Sequence, residues 1–106
     1  QDLALIDARK GLAMFRQVKV PIMGIIENMS TFVCPHCGEN SDIFGHGGAE
    51  EVAKKLGVTF LGAIPLHMSL RASADAGKPL VETEPENPIS GMYADIAENL
   101  RQQLGL

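Results

Sequence analysis

Apolar residues along the chain alternate between two periods. Leu5, Ala8, Leu12 and Phe15 recur at i, i+3, i+7 and i+10, which predicts one face of an amphipathic helix. Val20-Pro21-Ile22-Met23-Gly24-Ile25-Ile26 is nearly all apolar and predicts a strand buried on both faces of a parallel sheet. Pro21 lacks an N–H and belongs at the first rungs of such a strand or at an edge. Residues 28 to 48 hold Gly, Asn, Ser, Pro and both cysteines without a clear period, which reads as a long functional loop. The helical period returns at Val52, Ala53 and Leu56, with Gly57 as its stop. Val58 to Ile64 predicts a second strand, halted by Pro65. A short helix fits Met68 to Ala76, ending at Gly77, and Pro79-Leu80-Val81 reads as a small third strand. Glu82 to Pro88 reads as an exposed connector. A last helix is capped by Asn87, has Pro88 at its first position, and ends at Gly105. Its apolar face is Ile89, Met92, Tyr93, Ile96, Ala97, Leu100 and Leu104.

Strands separated by helices imply parallel pairing with right-handed crossovers. Two or three strands make a thin sheet, and the opening helix has no strand before it to pack on. Gln1, not Met, opens the sequence. Together these features suggest the C-terminal half of a larger doubly wound α/β domain.

Composition narrows the partners. The 106 residues carry 9 Lys and Arg against 13 Asp and Glu, a net charge of −4, so neither nucleic acid nor an anionic membrane is the expected partner. Hydrophobic residues make up 45%, which suits a packed domain, and no apolar run approaches the length of a membrane helix. No basic-then-apolar leader opens the chain, so nothing points to secretion.

The strongest local signal is Cys34-Pro35-His36-Cys37, which holds both cysteines of the chain. This spacing lets a short turn aim both sulfurs at one metal. A tetrahedral zinc site needs four ligands, and an iron–sulfur cluster normally takes four thiolates. One chain offers two cysteines plus His36 or His46, and His36 between the cysteines should point away from their metal. A fully protein-ligated metal then calls for two copies of the chain across a two-fold axis, with a Cys₂His₂ set inside one chain, using His36 and His46, as the weaker alternative. A dithiol redox site needs only two sulfurs, but usually starts a helix, and this pair lies in a loop. Two ordinary loop thiols complete the alternatives.

The second signal is positional. Ligands of a parallel α/β sheet bind beyond the carboxyl ends of its strands, where Glu27-Asn28 and Pro65-Leu66-His67 fall. The Asn28 amide offers a donor and an acceptor, matching an adenine edge, and Pro65 offers an apolar surface for the ring. The competing role of Asn28 is a local turn closing the strand. Gly45-His46-Gly47-Gly48 lacks the lysine and hydroxyl of a phosphate loop, and its glycines serve a tight entry into the helix. Arg71 and Asp75, at i and i+4, read as a surface ion pair, and His67 as a surface or satisfied histidine rather than a catalytic one.

Gly24-Ile25-Ile26-Glu27-Asn28-Met29-Ser30, then Phe32-Val33-Cys34-Pro35-His36-Cys37-Gly38, Ile43-Phe44-Gly45 and Phe60-Leu61-Gly62-Ala63-Ile64-Pro65-Leu66, resemble the C-terminal half of the Mrp-type (ApbC-like) iron–sulfur cluster carrier ATPases. These belong to the MinD-like, deviant-Walker branch of P-loop NTPases. The resemblance runs from Gln1 to about Val81 and implies that residues 1–106 are the C-terminal part of a P-loop NTPase-like, three-layer α/β domain. It implies a homodimer bridging a [4Fe-4S] cluster through Cys34 and Cys37, with the cluster passed on to apo iron–sulfur proteins. It places Asn28 against the adenine of ATP and Pro65 at the border of the base. It implies a cytoplasmic protein, or one of the mitochondrial matrix in a eukaryote. The family's lysine-containing phosphate loop and magnesium-side aspartates are absent from this sequence, so ATP with Mg²⁺, and its hydrolysis, are expected of a longer protein. Arg71-Ala72-Ser73-Ala74-Asp75 also departs from the family's Arg-Glu-Ala-Ser-Asp.

Overall fold

The computed structural model describes residues 1–45 and 47–106. Among the described residues five helices and three strands follow in the order α1 (Asp2–Gln17), β1 (Ile25–Val33), β2 (Asn40–Ser41), α2 (Gly48–Leu56), β3 (Phe60–Leu66), α3 (Met68–Asp75), α4 (Leu80–Thr83) and α5 (Pro88–Leu104). The sheet order is β2-β1-β3. β1 and β3 are parallel, with Ile25 opposite Phe60 and Asn28 opposite Ile64, and α2 is their crossover. β2 is antiparallel to β1, so the sheet is mixed rather than purely parallel.

The two ends of α5 are written in its sequence. The Asn87 side chain accepts from the Ile89 N–H at 2.9 Å, Pro88 fills the first turn, and Gly105 closes the helix at φ 72°. Gly57 ends α2 in the same way, at φ 68°. Leu61, Ile64, Leu80, Ile89 and Ile96 form the core, with Leu70 and Leu100 packed against it. Gly62 allows α5 to lie against β3: a Cβ there would meet Ile96 Cγ1 at 2.9 Å, and the backbone holds φ 150°. The far side of α5 is less covered than its periodicity implies, since Met92, Tyr93 and Leu104 are exposed. On α1 only Leu12 is buried, and Phe15 is exposed.

Several predicted elements differ. The first strand starts at Ile25 rather than Val20 and runs on through Val33, into the stretch read as loop. Its first rung is Ile25 N–H to Thr59 C=O at 2.8 Å, and Gly24 before it lies so close to Leu61 and Thr59 that no side chain fits. Polar Glu27 and Asn28 masked the continuation, because they stand on a strand whose neighbourhood is only partly covered. Pro65 does not halt β3 but sits inside it, buried. β3 has one neighbour, so a residue without an N–H costs it little there. Pro79-Leu80-Val81 is not a strand. Pro79 caps the four-residue α4, and its carbonyl accepts from Glu82 and Thr83 N–H at 3.0 and 3.1 Å. Leu80 enters the core at 2% exposure, which three apolar residues after a proline do not reveal by period. Glu82 and Thr83 therefore belong to a helix, and the exposed connector begins at Glu84.

Candidate metal centre and the cleft beside it

The cysteine pair sits at the tip of a β-hairpin. Phe32 and Val33 of β1 pair with Ser41 and Asn40 of β2, and the chain between them makes the turn. The Cys34 N–H donates to the Glu39 carbonyl at 2.9 Å, and the Gly38 N–H to the Cys34 carbonyl at 2.9 Å. Gly38 takes φ 75°, which glycine adopts without strain. A strand run, a short glycine-containing turn and a second short run was the available hairpin signal, and the two-residue length of β2 hid it.

Both thiols are free, with Cys34 half-buried and Cys37 exposed. The Cys34 thiol is held below its ordinary pKa, first by the Cys37 N–H, then by the His36 N–H and the Cys37 thiol, with slight desolvation opposing. The His36 N–H lies 3.4 Å from Cys34 Sγ. N–H groups aimed at a sulfur favour its thiolate, the form that binds a metal. His36 is exposed, and it contributes its backbone to Cys34. His46 lies outside the described residues. Among the described residues, no group of three or more His, Cys, Asp or Glu is placed to hold a metal. The chain thus presents two thiols in a donor-lined turn, which fits half of a four-thiolate site.

Asn28 lies within β1 rather than after it. It is exposed, and its Oδ1 accepts from the Met29 N–H at 3.0 Å. This local bond resembles the turn-closing role, and it leaves the side-chain NH₂ without a partner among the described residues. Asn28 lines a cleft of about 610 Å³ together with Leu5, Ile26, Met29, Phe44 and Val52. Pro65 is one residue beyond Ile64, the strand partner of Asn28, but it is buried and is not among the described residues lining that cleft.

Glu27 plays a part that its polar neighbours obscured. Its Oε2 accepts from the Ala49 N–H at 3.2 Å, so β1 supplies the anion at the N-terminus of α2. Gly45 and Gly47 take φ 86° and 74°, the tight entry into α2 that the glycines suggested. His67, expected as a surface or satisfied histidine, is satisfied as the cap of α3: its Nδ1 accepts from the Ser69 N–H at 3.0 Å. Arg71 and Asp75 form the exposed ion pair, at 3.7 Å. Among the described residues no helix is long and apolar enough to cross a membrane.

Residues 1–101 match a family model described as ParA, NUBPL iron-transfer P-loop NTPase. The chain is similar to an iron–sulfur cluster carrier protein of Escherichia coli K12, 48% identical over 98% of this chain and 28% of the relative. It is also similar to an Arabidopsis thaliana iron–sulfur protein required for NADH dehydrogenase, mitochondrial, 51% identical over 94% of this chain and 32% of the relative. A solved nucleotide-binding protein of Archaeoglobus fulgidus, in complex with ADP and with cobalt found in it, is 40% identical at a TM-score of 0.60, over 76% of this chain and 32% of its own. The chain therefore spans about a third of the length of the proteins it matches.

Proposed function

From the premise that this chain belongs to the NUBPL-type iron-transfer P-loop NTPases, we propose that it is the C-terminal, cluster-holding part of an iron–sulfur cluster carrier, residues 1–106 forming one portion of the larger domain. The cargo is a [4Fe-4S] cluster held between two copies of the chain, each giving Cys34 and Cys37. The observation that carries this reading is the ligand count at the hairpin tip. Two thiols stand together at an accessible turn, and among the described residues no third His, Cys, Asp or Glu joins them. A cluster that wants four thiolates is then completed by the same turn of a second copy.

Four thiolates from two turns also suit a carrier. Each chain contributes two sulfurs, so separating the copies strips the cargo of half its ligands and opens it to the cysteines of an apo iron–sulfur protein. The N–H groups of His36 and Cys37 stabilise the Cys34 thiolate and so favour rebinding. Asn28, exposed on its cleft, contributes the adenine side of an ATP site whose phosphate loop and magnesium ligands belong to the rest of the domain, while the buried Pro65 has no open face to offer the base. ATP hydrolysis is accordingly a property of the longer protein. The plant relative is named as mitochondrial, which supports a mitochondrial place of work if the source is a eukaryote; the cytoplasm is the proposal for a bacterial source.

Anaerobic reconstitution with iron and sulfide, followed by native mass spectrometry, tests the proposal. The expected product is a dimer carrying one four-iron cluster, lost in both Cys34→Ser and Cys37→Ser. A dimer holding only zinc would make the pair a structural staple, and an iron-free monomer that oxidises reversibly would make it a dithiol redox site. Either result overturns the carrier reading.

A further inference from the structure

A second hollow, of about 340 Å³, lies between α3, α4 and α5, and no residue of β1 or of the thiol turn lines it. Its origin is local. Gly77 takes φ 69° and the Lys78 N–H donates to the Ser73 carbonyl at 2.9 Å, which closes α3 and turns the chain away. Pro79 then opens α4, whose four residues send Leu80 into the core. One turn of helix is too short to fill the space between α3 and α5. α3 meets that space with small residues, Ser73, Ala74 and Gly77. The Ser73 hydroxyl is engaged on its own helix, donating to the Leu70 carbonyl at 3.0 Å. The floor is therefore apolar: Leu80 is buried, Leu70 is half-buried, and Val81 stands exposed at the edge.

Two residues with polar ends join that lining, Lys78 and Tyr93. Tyr93 stands one turn from both Ile89 and Ile96, so the helix that closes the core also holds this ring at the hollow. Among the described residues, neither the Lys78 ammonium nor the Tyr93 hydroxyl has a hydrogen-bond or ion-pair partner. Arg71, the cation of α3, is by contrast set against Asp75 at 3.7 Å. An apolar floor beside an unengaged cation and hydroxyl complements a molecule with an apolar body and one anionic end. From this geometry we infer that the hollow binds a small apolar monocarboxylate, its body over Leu70, Leu80 and Val81 and its carboxylate on Lys78 and Tyr93. The size agrees, since ligand pockets begin at about 300 Å³. The charge also agrees with one carboxylate rather than a phosphate. Lys78 supplies a single point charge, and the exposed Glu82, Glu84 and Glu86 follow closely in the chain and oppose a second negative charge.

This site stands whether or not Cys34 and Cys37 hold a cluster, and its test does not involve them. The full chain, labelled with ¹⁵N, is titrated with 4-phenylbutyrate and, separately, with the uncharged 4-phenyl-1-butanol, which has the same body. The amide resonances of Ser73, Lys78 and Val81 report the hollow, and those of Ile26 and Val52 report the cleft beside Asn28. The acid should shift the first set and not the second, with a dissociation constant in the millimolar range expected of so small a ligand. The alcohol should bind about fivefold or more weakly, because it lacks the charge-assisted contact. Lys78→Met, which keeps the apolar stem and removes the charge, should bring the acid down to the affinity of the alcohol. Tyr93→Phe should weaken the acid as well. Equal affinities for acid and alcohol in the wild type overturn the proposal, and so does an acid affinity unchanged in either variant. Absence of shifts at the hollow, or equal shifts in the cleft beside Asn28, also overturns it, the second because it marks general adsorption to apolar surface. The two wild-type titrations decide the matter even if a variant does not fold.

Discussion

The side of the sheet where α5 lies on β3 and the side where β1 runs out to the hairpin are built on opposite terms. In the first, Ile64, Ile89, Ile96 and Leu80 are buried, the helix is capped at both ends, and glycine is used to bring elements close. In the second, the strand bulges, Met29 holds a left-handed backbone, the thiols are half-buried or exposed, and Ile43 stands 57% open. The difference shows where the fold's free energy resides. Stability comes from the apolar area removed from water beneath α5, and the hairpin contributes little to it. The hairpin can therefore spend its residues on chemistry, which is where locally less stable elements are found.

Substitutions can test that separation. The largest effect expected is at Ile96→Ala, which opens a cavity between α5 and β3 and should cost about 2–5 kcal/mol in urea unfolding. The variant that still folds should bind metal as the wild type does, and a parallel loss of affinity would merge the two regions into one. Next is Gly62→Ala, whose added carbon meets Ile96 and should cost about 1–3 kcal/mol by the same measurement. Asn87→Ala removes the acceptor for the Ile89 N–H and should cost about 1 kcal/mol. Cys34→Ser belongs at the small end for stability, within about 0.5 kcal/mol, while abolishing bound iron. That contrast, large in metal and small in urea, would sharpen the comparison most.

The last prediction concerns protonation. The Cys34 pKa lies below its ordinary value of 9.0 because the N–H groups of Cys37 and His36 favour the charged sulfur. The sign follows directly: the thiolate persists at lower pH than in a free thiol, and is lost as pH falls through the lowered value. The rate of Cys34 alkylation, followed by peptide mass spectrometry, should rise with pH at a midpoint below 9.0. A midpoint at or above that value would mean the turn does not hold its donors on the sulfur in solution.

Much of the fold was legible because it is encoded locally. Asn87-Pro88 and Gly105 bound α5, Gly57 ends α2, and the apolar run at Phe60 to Ile64 is β3. The misreadings share one cause. The extent of β1, the position of Pro65 inside β3 and the helix at Leu80 all depend on which neighbour lies opposite, and period along one chain does not carry that information. β1 continues through Glu27 and Asn28 because β3 is there to pair with, and Glu27 takes up a helix end that lies 22 residues ahead of it. The candidate site divides the same way. Cys34 and Cys37 were marked by spacing, and Asn28 by its place near the end of an apolar run.

The sequence by itself determined the α/β alternation, the caps that bound its helices, the cysteine pair and the number of thiols one chain can offer. Each is a matter of residue type and spacing within a few positions, where local sterics and hydrogen bonding decide. Only the tertiary structure decided that the thiols stand at the tip of a hairpin, that Pro65 faces three residues of β1, and that Met29 turns left-handed between them. Those facts follow from strand pairing, and pairing is settled by the burial and register of chains far apart in sequence.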